Sequence, residues 1–225
     1  MSQVFKRILQ TMVLLVGSTV SLTMSASEVT SEVIDTHDPF KLVQQVSNKT
    51  FDRFNTDKAL IDADLSHLKV IVREELMPYV DYKYAAYKVM GQYLRDTTPE
   101  QRERFVEAFE GYLVATYAQA FTEYTGQKVQ FSPASDFADE KFVDVNVQII
   151  EDGRPPIKVM FKARRLKDDS WKAFDLVAEG VSLLASKQSE ISNLIRQKGV
   201  DSVIEMLKDR TQQEINYKQD KENAA

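Results

Sequence analysis

The chain has 225 residues, 43% of them hydrophobic and 28% charged, with only 7 Gly and 6 Pro. That composition is typical of a globular protein with one sizeable core. The absence of cysteine excludes disulfides and thiolate metal sites. The formal net charge of −5 argues against nucleic acid as the main partner, because neutralising phosphates requires a basic face.

The first 27 residues have the layout of a secretory signal peptide. Lys6 and Arg7 form a short basic segment, residues 8–20 are mainly apolar, and residues 25–27 are small. An uncleaved membrane anchor is the alternative, but the apolar run is short for a bilayer span. Removing residues 1–27 takes away Lys6 and Arg7 and changes the formal charge from −5 to −7. We therefore expect cleavage near Ser27, export to the periplasm and a soluble mature protein.

Helical patterns occupy the first half of the mature chain. Asp38 is predicted to cap a helix that has Pro39 at its first position. Two further helices are predicted over residues 64–77 and 84–94.

A fourth helix has the strongest local signal. Thr98 and Gln101 have the spacing of a capping box, with Pro99 inside it. Apolar residues then recur at helical spacing until Gly126, which is predicted to stop the helix.

The hydrophobic period then changes from about 3.6 to 2, which predicts strands over residues 142–150, 157–163 and 171–177. The turn signal at residues 151–153 makes the first two an antiparallel hairpin. Residues 128–131 form a weaker candidate strand.

Two helices, at residues 186–197 and 201–214, are predicted to follow on either side of Gly199. Helices, then a meander, then helices indicate an α+β fold. Residues 28–217 are predicted to form one domain, followed by a polar tail at 218–225.

Signals for catalysis are weak. The sequence has no nucleophile-elbow, phosphate-loop or zinc-protease motif. His37 and His67 are predicted to be ordinary solvated or cap-adjacent residues, and Glu74 and Glu75 solvated charges. Glu179 is flanked by apolar runs, so burial could raise its pKa. A loop carboxylate bonded to the backbone is the favoured interpretation, and no catalytic site, metal or cofactor is predicted.

Aromatic residues are abundant, with 9 Tyr and 12 Phe against 1 Trp. Many lie at helical spacing between residues 79 and 124. Spacing alone favours a packed core, although rings with polar tips also suit the rim of an apolar cavity.

Four segments together resemble one known family. They are NKTFDRFN, ELMPYVDYKYAAYKVMGQYLRDTTPEQRERFVEAFEGYLVATYAQAF, GRPPIKVMFKARR and WKAFDLVAEGVSLLASKQSE. Across about residues 38–210 the chain resembles the MlaC family of periplasmic phospholipid-binding proteins, also called toluene-tolerance or auxiliary transport proteins. The resemblance implies an NTF2-like shell in which an antiparallel sheet and helices surround a deep apolar lipid pocket.

The resemblance also implies a function. A member of this family carries glycerophospholipids between the outer and inner membranes and maintains outer-membrane lipid asymmetry. Its partners are an outer-membrane lipoprotein–porin complex and an inner-membrane ABC transporter with an MCE-domain subunit. We expect phospholipid as cargo, no other cofactor, and a monomer.

The predicted pocket wall combines inward strand positions, helical apolar positions and the run after Gly180. Its residues are Leu76, Val80, Tyr84, Phe105, Phe109, Leu113, Val143, Val145, Val147, Ile149, Val159, Phe161 and Val181. Each of these residues is equally compatible with an ordinary core.

Two other functions stay open at this point. One is an enzyme in the same shell that uses Glu179 or Asp175 with a cavity tyrosine. The other is a periplasmic adaptor or chaperone-like binding protein with a filled core. Cations that could meet a phosphate head group are Lys83, Lys162, Arg164 and Arg165, although a solvated face is the favoured interpretation.

Overall fold

A computed structural model describes residues 33–217; the predicted signal peptide and the tail from residue 218 lie outside this range. The α-helices of the described part are α1 (Pro39–Thr56), α2 (Lys58–Ala63), α3 (His67–Ile71), α4 (Tyr82–Met90), α5 (Pro99–Phe121), α6 (Leu183–Lys198) and α7 (Val200–Gln212). The strands are β1 (Lys128–Phe131), β2 (Phe142–Ile150), β3 (Ile157–Arg165), β4 (Trp171–Ala178) and β5 (Val181–Ser182).

Side chains cap the two longest helices as the sequence predicts. Asp38 Oδ1 accepts hydrogen bonds from the N–H groups of Phe40 (2.9 Å) and Lys41 (3.0 Å) at the start of α1. At the start of α5, Gln101 N–H donates to Thr98 Oγ1 (3.2 Å), and Thr98 N–H donates to Gln101 Oε1 (3.1 Å). Both halves of the predicted capping box are therefore formed.

The helical segments between α1 and α5 are more broken than predicted. The helix expected over residues 64–77 begins at His67, widens into a π-turn at Val72–Leu76 and tightens into a 3-10 turn at Met77–Tyr79. The helix expected over 84–94 ends at Met90, because Gly91 leaves helical geometry with a φ of 54°. In α5 the last turn tightens after Phe121, five residues before the predicted stop at Gly126.

The five strands form one antiparallel sheet in sequence order. Burial alternates along β2: Val143, Val145 and Val147 are buried and the residues between them are exposed. The predicted inward face and the predicted β2–β3 hairpin are therefore confirmed. One face of the sheet supports a core and its other face carries polar side chains.

The Glu179–Gly180 interruption is a two-residue hairpin turn between β4 and β5. Both residues have positive φ, 49° and 81°, as a type I′ turn requires. Glu179 Oε1 accepts a hydrogen bond of 2.5 Å from the N–H of Lys158. The favoured interpretation of Glu179, a loop carboxylate bonded to the backbone, is confirmed.

A β-bulge bends β4 in its middle. Ala173 lies opposite Ala163 and Asp175 lies opposite Lys162, so Phe174 is the additional residue. The bulge changes which residues of β4 face inward, from Ala173 before it to Leu176 after it.

Three apolar clusters hold the described residues together. In the first, α1 packs on the inner face of the sheet around Leu42, Val46 and Trp171. The second is a bundle of α4, α5, α6 and α7. The third joins α1 and α3 to α5. Within residues 33–217 no helix is long and apolar enough to cross a membrane.

The prediction that Glu74 and Glu75 are both solvated is wrong for Glu75. Glu75 is 7% exposed, because the π-turn that contains it packs against α1. Its carboxylate lies 2.8 Å from Lys49 Nζ and 3.0 Å from Arg53 Nη1. These two contacts compensate the buried charge.

Candidate functional site: an apolar cavity

An apolar cavity of about 410 Å³ lies between α1, the C-terminal half of α5 and the inner face of the sheet. The helices contribute Leu42, Val43, Val46, Ser47, Thr50, Phe51, Tyr117, Ala120 and Phe121. The sheet contributes Val129, Val147, Ile149, Ile157, Val159, Phe161, Ala173, Phe174, Asp175, Leu176 and Ala178. The remaining wall residues are Leu76, Tyr79, Val80, Glu123, Tyr124 and Gln127. Such a lining selects an apolar ligand.

Two polar side chains of the lining, Thr50 and Gln127, are hydrogen-bonded within the protein. Thr50 Oγ1 donates to the carbonyl of Val46 at 2.7 Å. Gln127 Nε2 donates to the carbonyl of Glu123 at 3.2 Å, and Gln127 Oε1 accepts from the N–H of Thr125 at 2.9 Å. Because these polar groups are already hydrogen-bonded within the protein, they are not available to a ligand, and the wall around them presents mainly apolar surface.

Residues exposed to solvent mark the opening of the cavity. Ala120 near the end of α5, Glu123 just after it and Ile157 at the start of β3 line the cavity and are exposed. Beside them Phe51 and Tyr124 stack with ring centroids 4.6 Å apart. The opening therefore lies between the α5–β1 connection and the end of the sheet.

A second, smaller cavity of about 70 Å³ lies on the helical-bundle side. It shares five wall residues with the large cavity: Val80, Tyr117, Phe174, Asp175 and Leu176. Phe109, Tyr112, Leu113 and Leu184 are among its other wall residues. The bulge residue Phe174 and its neighbour Asp175 therefore form part of a partition between the two spaces.

Tyr117 on α5 is the most perturbed titratable group in this wall. Burial raises its pKa to about 12, and the nearby charge of Asp175 contributes in the same direction. The hydroxyl consequently stays protonated, and remains a hydrogen-bond donor, at any physiological pH.

Six of the thirteen predicted wall residues line the large cavity. They are Leu76, Val80, Val147, Ile149, Val159 and Phe161. Their contact with a lipid stays a prediction.

The other seven predicted wall residues lie outside the large cavity. Phe105 is sealed in the helical bundle, whereas Phe109 and Leu113 reach only the small cavity. Val143 and Val145 are packed beneath α1, next to Trp171.

Tyr84 and Val181, the last two of these seven residues, lie outside the large cavity for different reasons. The ring of Tyr84 packs edge-on against Phe174 at 5.1 Å, and the guanidinium of Arg164 lies 4.4 Å from its centroid. Val181 is 58% exposed, because the hairpin turn carries β5 to the edge of the sheet. The expectation that Val181 continues the cavity wall is therefore corrected.

Reasoning from sequence missed the contributions of α1 and of β4. The residues of α1 from Leu42 to Phe51 recur at helical spacing, which is also the signal of a core helix. Three further cavity residues belong to the aromatic segment between residues 79 and 124: Tyr117, Phe121 and Tyr124. The abundance of aromatic rings in that segment was the sequence signal that could have identified them.

Of the four candidate cations, Lys162 pairs with Asp144 at 3.0 Å and Arg164 pairs with Asp81. Arg165 donates to the carbonyl of Phe137, and Lys83 Nζ lies 6.0 Å from the centroid of the Tyr87 ring. Among the lining residues of the large cavity there is no Lys or Arg. The described part of the chain also has no group of three side chains that could hold a metal ion.

Fold and cavity together define an α+β protein with a buried site for an apolar ligand. The family model described as "MlaC protein" matches residues 44–209. The chain therefore belongs to the MlaC family, and the resemblance seen in the sequence is confirmed.

Two curated relatives support this assignment. The intermembrane phospholipid transport system binding protein MlaC of Haemophilus influenzae is 34% identical over 198 residues, covering 87% of this chain and 92% of the relative. The toluene tolerance protein ttg2D of Pseudomonas putida is 22% identical over 164 residues, covering 72% of this chain and 75% of the relative.

A solved structure has the same fold. The phospholipid-binding protein from Ralstonia solanacearum, determined in complex with a phospholipid, matches with a TM-score of 0.69 and 23% sequence identity. The match covers 77% of this chain and 97% of that protein. The predicted α+β class, with an antiparallel sheet and helices around an apolar pocket, is confirmed.

Proposed function

We propose that this protein is a phospholipid carrier that moves glycerophospholipids between the outer and inner membranes and so maintains outer-membrane lipid asymmetry. The observation that carries the proposal is the apolar cavity of about 410 Å³ in a chain of the MlaC family. The Haemophilus relative, whose name states intermembrane phospholipid transport, supports it.

The energetics of a carrier fit such a cavity. Each methylene moved out of water is worth about 0.8 kcal/mol, so two long acyl chains favour hydrocarbon by roughly 20 kcal/mol or more. Unassisted crossing of an aqueous compartment is then negligible. An apolar cavity exchanges one apolar medium for another, which makes transfer from the bilayer close to neutral. The direction of transport must therefore come from partners.

The family of the chain supports a proposal for the setting of this function. We propose that residues 1–27 are a cleaved signal peptide and that the mature protein acts as a monomer in the periplasm. Its proposed partners are an outer-membrane lipoprotein–porin complex and an inner-membrane ABC transporter with an MCE-domain subunit.

Binding without catalysis is the favoured mode of action. Glu179, one of the two candidate acids of an enzyme, is exposed in a turn and bonded to the N–H of Lys158. Asp175, the other, accepts bonds from Ser182 and Leu184. An open cavity also argues against the adaptor with a filled core.

The test is native mass spectrometry of the mature protein, purified from a periplasmic extract without detergent. We expect a mass increment of one phospholipid that organic solvent removes. A polypeptide mass without lipid, unchanged after incubation with phospholipid vesicles, would contradict the carrier and favour the adaptor or the enzyme.

A further inference from the structure

Tyr117 is one of the five residues that line both cavities. It lies on α5, and its side chain lines both the large and the small cavity. Of the five wall residues that the two cavities share, Tyr117 and Asp175 are polar and the other three are apolar. A polar tip is therefore presented where the two cavities meet.

The hydroxyl of Tyr117 has no hydrogen-bond partner within residues 33–217. The hydroxyl oxygen keeps some accessible surface. Because Tyr117 lines the cavity, this surface faces cavity space. A buried hydroxyl without a partner costs free energy. Buried tyrosine hydroxyls usually find one. This group therefore points to a ligand atom that accepts a hydrogen bond.

We propose that the Tyr117 hydroxyl donates a hydrogen bond to an ester carbonyl of the bound lipid and makes the protein selective for diacyl over dialkyl-ether phospholipids. This inference rests on the proposed carrier function and identifies the linkage chemistry of its cargo.

The Tyr117 hydroxyl and an ester carbonyl of the lipid are complementary hydrogen-bonding groups. Between head group and chain ends, the polar groups of a diacyl phospholipid are its ester linkages, which accept hydrogen bonds but cannot donate them. Tyr117 is a donor, since burial keeps its hydroxyl protonated. Asp175, the nearby alternative, is a carboxylate whose oxygens already accept from Ser182 Oγ (2.7 Å) and Leu184 N–H (3.0 Å). Of the two polar side chains that border both cavities, the Tyr117 hydroxyl is therefore the one suited to a carbonyl.

The experiment compares a 1,2-diacyl phospholipid with its 1,2-dialkyl ether counterpart of identical head group and chain lengths. Dissociation constants are measured for the delipidated mature protein and for Tyr117→Phe. One such hydrogen bond is worth about threefold to tenfold in affinity. We expect Tyr117→Phe to weaken diacyl binding by that factor and to leave ether-lipid binding unchanged.

Tyr82→Phe is the matched control. Its hydroxyl bonds to Glu110 and lines neither cavity, so this variant should keep the wild-type ratio of the two affinities. The melting temperature of lipid-free Tyr117→Phe should equal or exceed that of the wild type, because an unpaired buried hydroxyl is removed.

Two results would overturn the assignment: an equal loss of affinity for both lipids, or no change for either. The first would indicate packing or a phosphate contact, and the second a hydroxyl that meets no ligand. Failure of the wild type to bind either lipid would instead contradict the carrier function itself.

Discussion

The carboxylate of Asp175 accepts a hydrogen bond of 3.0 Å from the backbone N–H of Leu184, at the first turn of α6. Its other oxygen accepts from Ser182 Oγ at 2.7 Å. Asp175 is 9% exposed, and its carboxylate lies against the first turn of α6. One side chain thereby joins strand β4 to the helical bundle, at the partition between the two cavities.

Asp175→Ala should lower the free energy of unfolding by about 1–3 kcal/mol, because it leaves the partly buried N–H of Leu184 without its partner. Urea denaturation of the delipidated protein measures this loss. Asp175→Asn, which retains an acceptor oxygen, should lose clearly less. Equal losses in the two variants would show that packing, rather than the bonds to α6, accounts for the effect.

The stripe along α5 illustrates what periodicity can and cannot predict. Phe105, Phe109, Tyr117 and Phe121 all recur at helical spacing, which predicted the helix and its buried face. The bundle covers the first two, whereas the end of the helix runs past the bundle and borders the large cavity. Spacing reports that a side chain faces inward, but whether it meets protein or empty space depends on distant segments.

In the sheet, too, the spacing of apolar residues does not distinguish core from cavity wall. The sheet also contains a β-bulge, which spacing does not predict. Alternation predicted the inward residues of β2, but Val145 is covered by α1 and Val147 borders the cavity. In β4 the bulge at Phe174 changes the inward residues midway. Simple alternation contains no signal for an inserted residue, so the cavity face of β4 was missed.

The contrast between Val147 and Val145 gives a test of the cavity wall. Val147→Trp extends into open space, so we expect it to displace lipid while changing the melting temperature little. Val145 is 1% exposed and does not line the cavity, so Val145→Trp should destabilise the fold by about 1–3 kcal/mol or more through overpacking.

Bound lipid per protein, from native mass spectrometry, and melting temperature are measured for both variants. Equal destabilisation by both substitutions would mean that Val147 belongs to a filled core. Full retention of lipid by a stable Val147→Trp protein would place the acyl chains elsewhere.

Asp57 gives the protein a predictable response to acid. A hydrogen bond with His67 Nε2 at 2.7 Å, and then one from Arg53 Nε at 2.6 Å, lower the pKa of Asp57. A carboxyl whose pKa is lower in the folded than in the unfolded state stabilises the fold fully above its unfolded pKa, near 3.8. That contribution is lost as the pH falls from there through the lowered folded pKa.

The difference in unfolding free energy between wild type and Asp57→Asn should therefore be largest at neutral pH and shrink as the pH falls below about 4. Urea denaturation from neutral pH to about pH 3 measures it. Asp62→Asn is the control, because within residues 33–217 Asp62 pairs with the exposed Lys58 alone, and exposed pairs contribute little. A difference between wild type and Asp57→Asn that stays constant with pH would show that charge on Asp57 does not matter. The network around Arg53 would then act through packing alone.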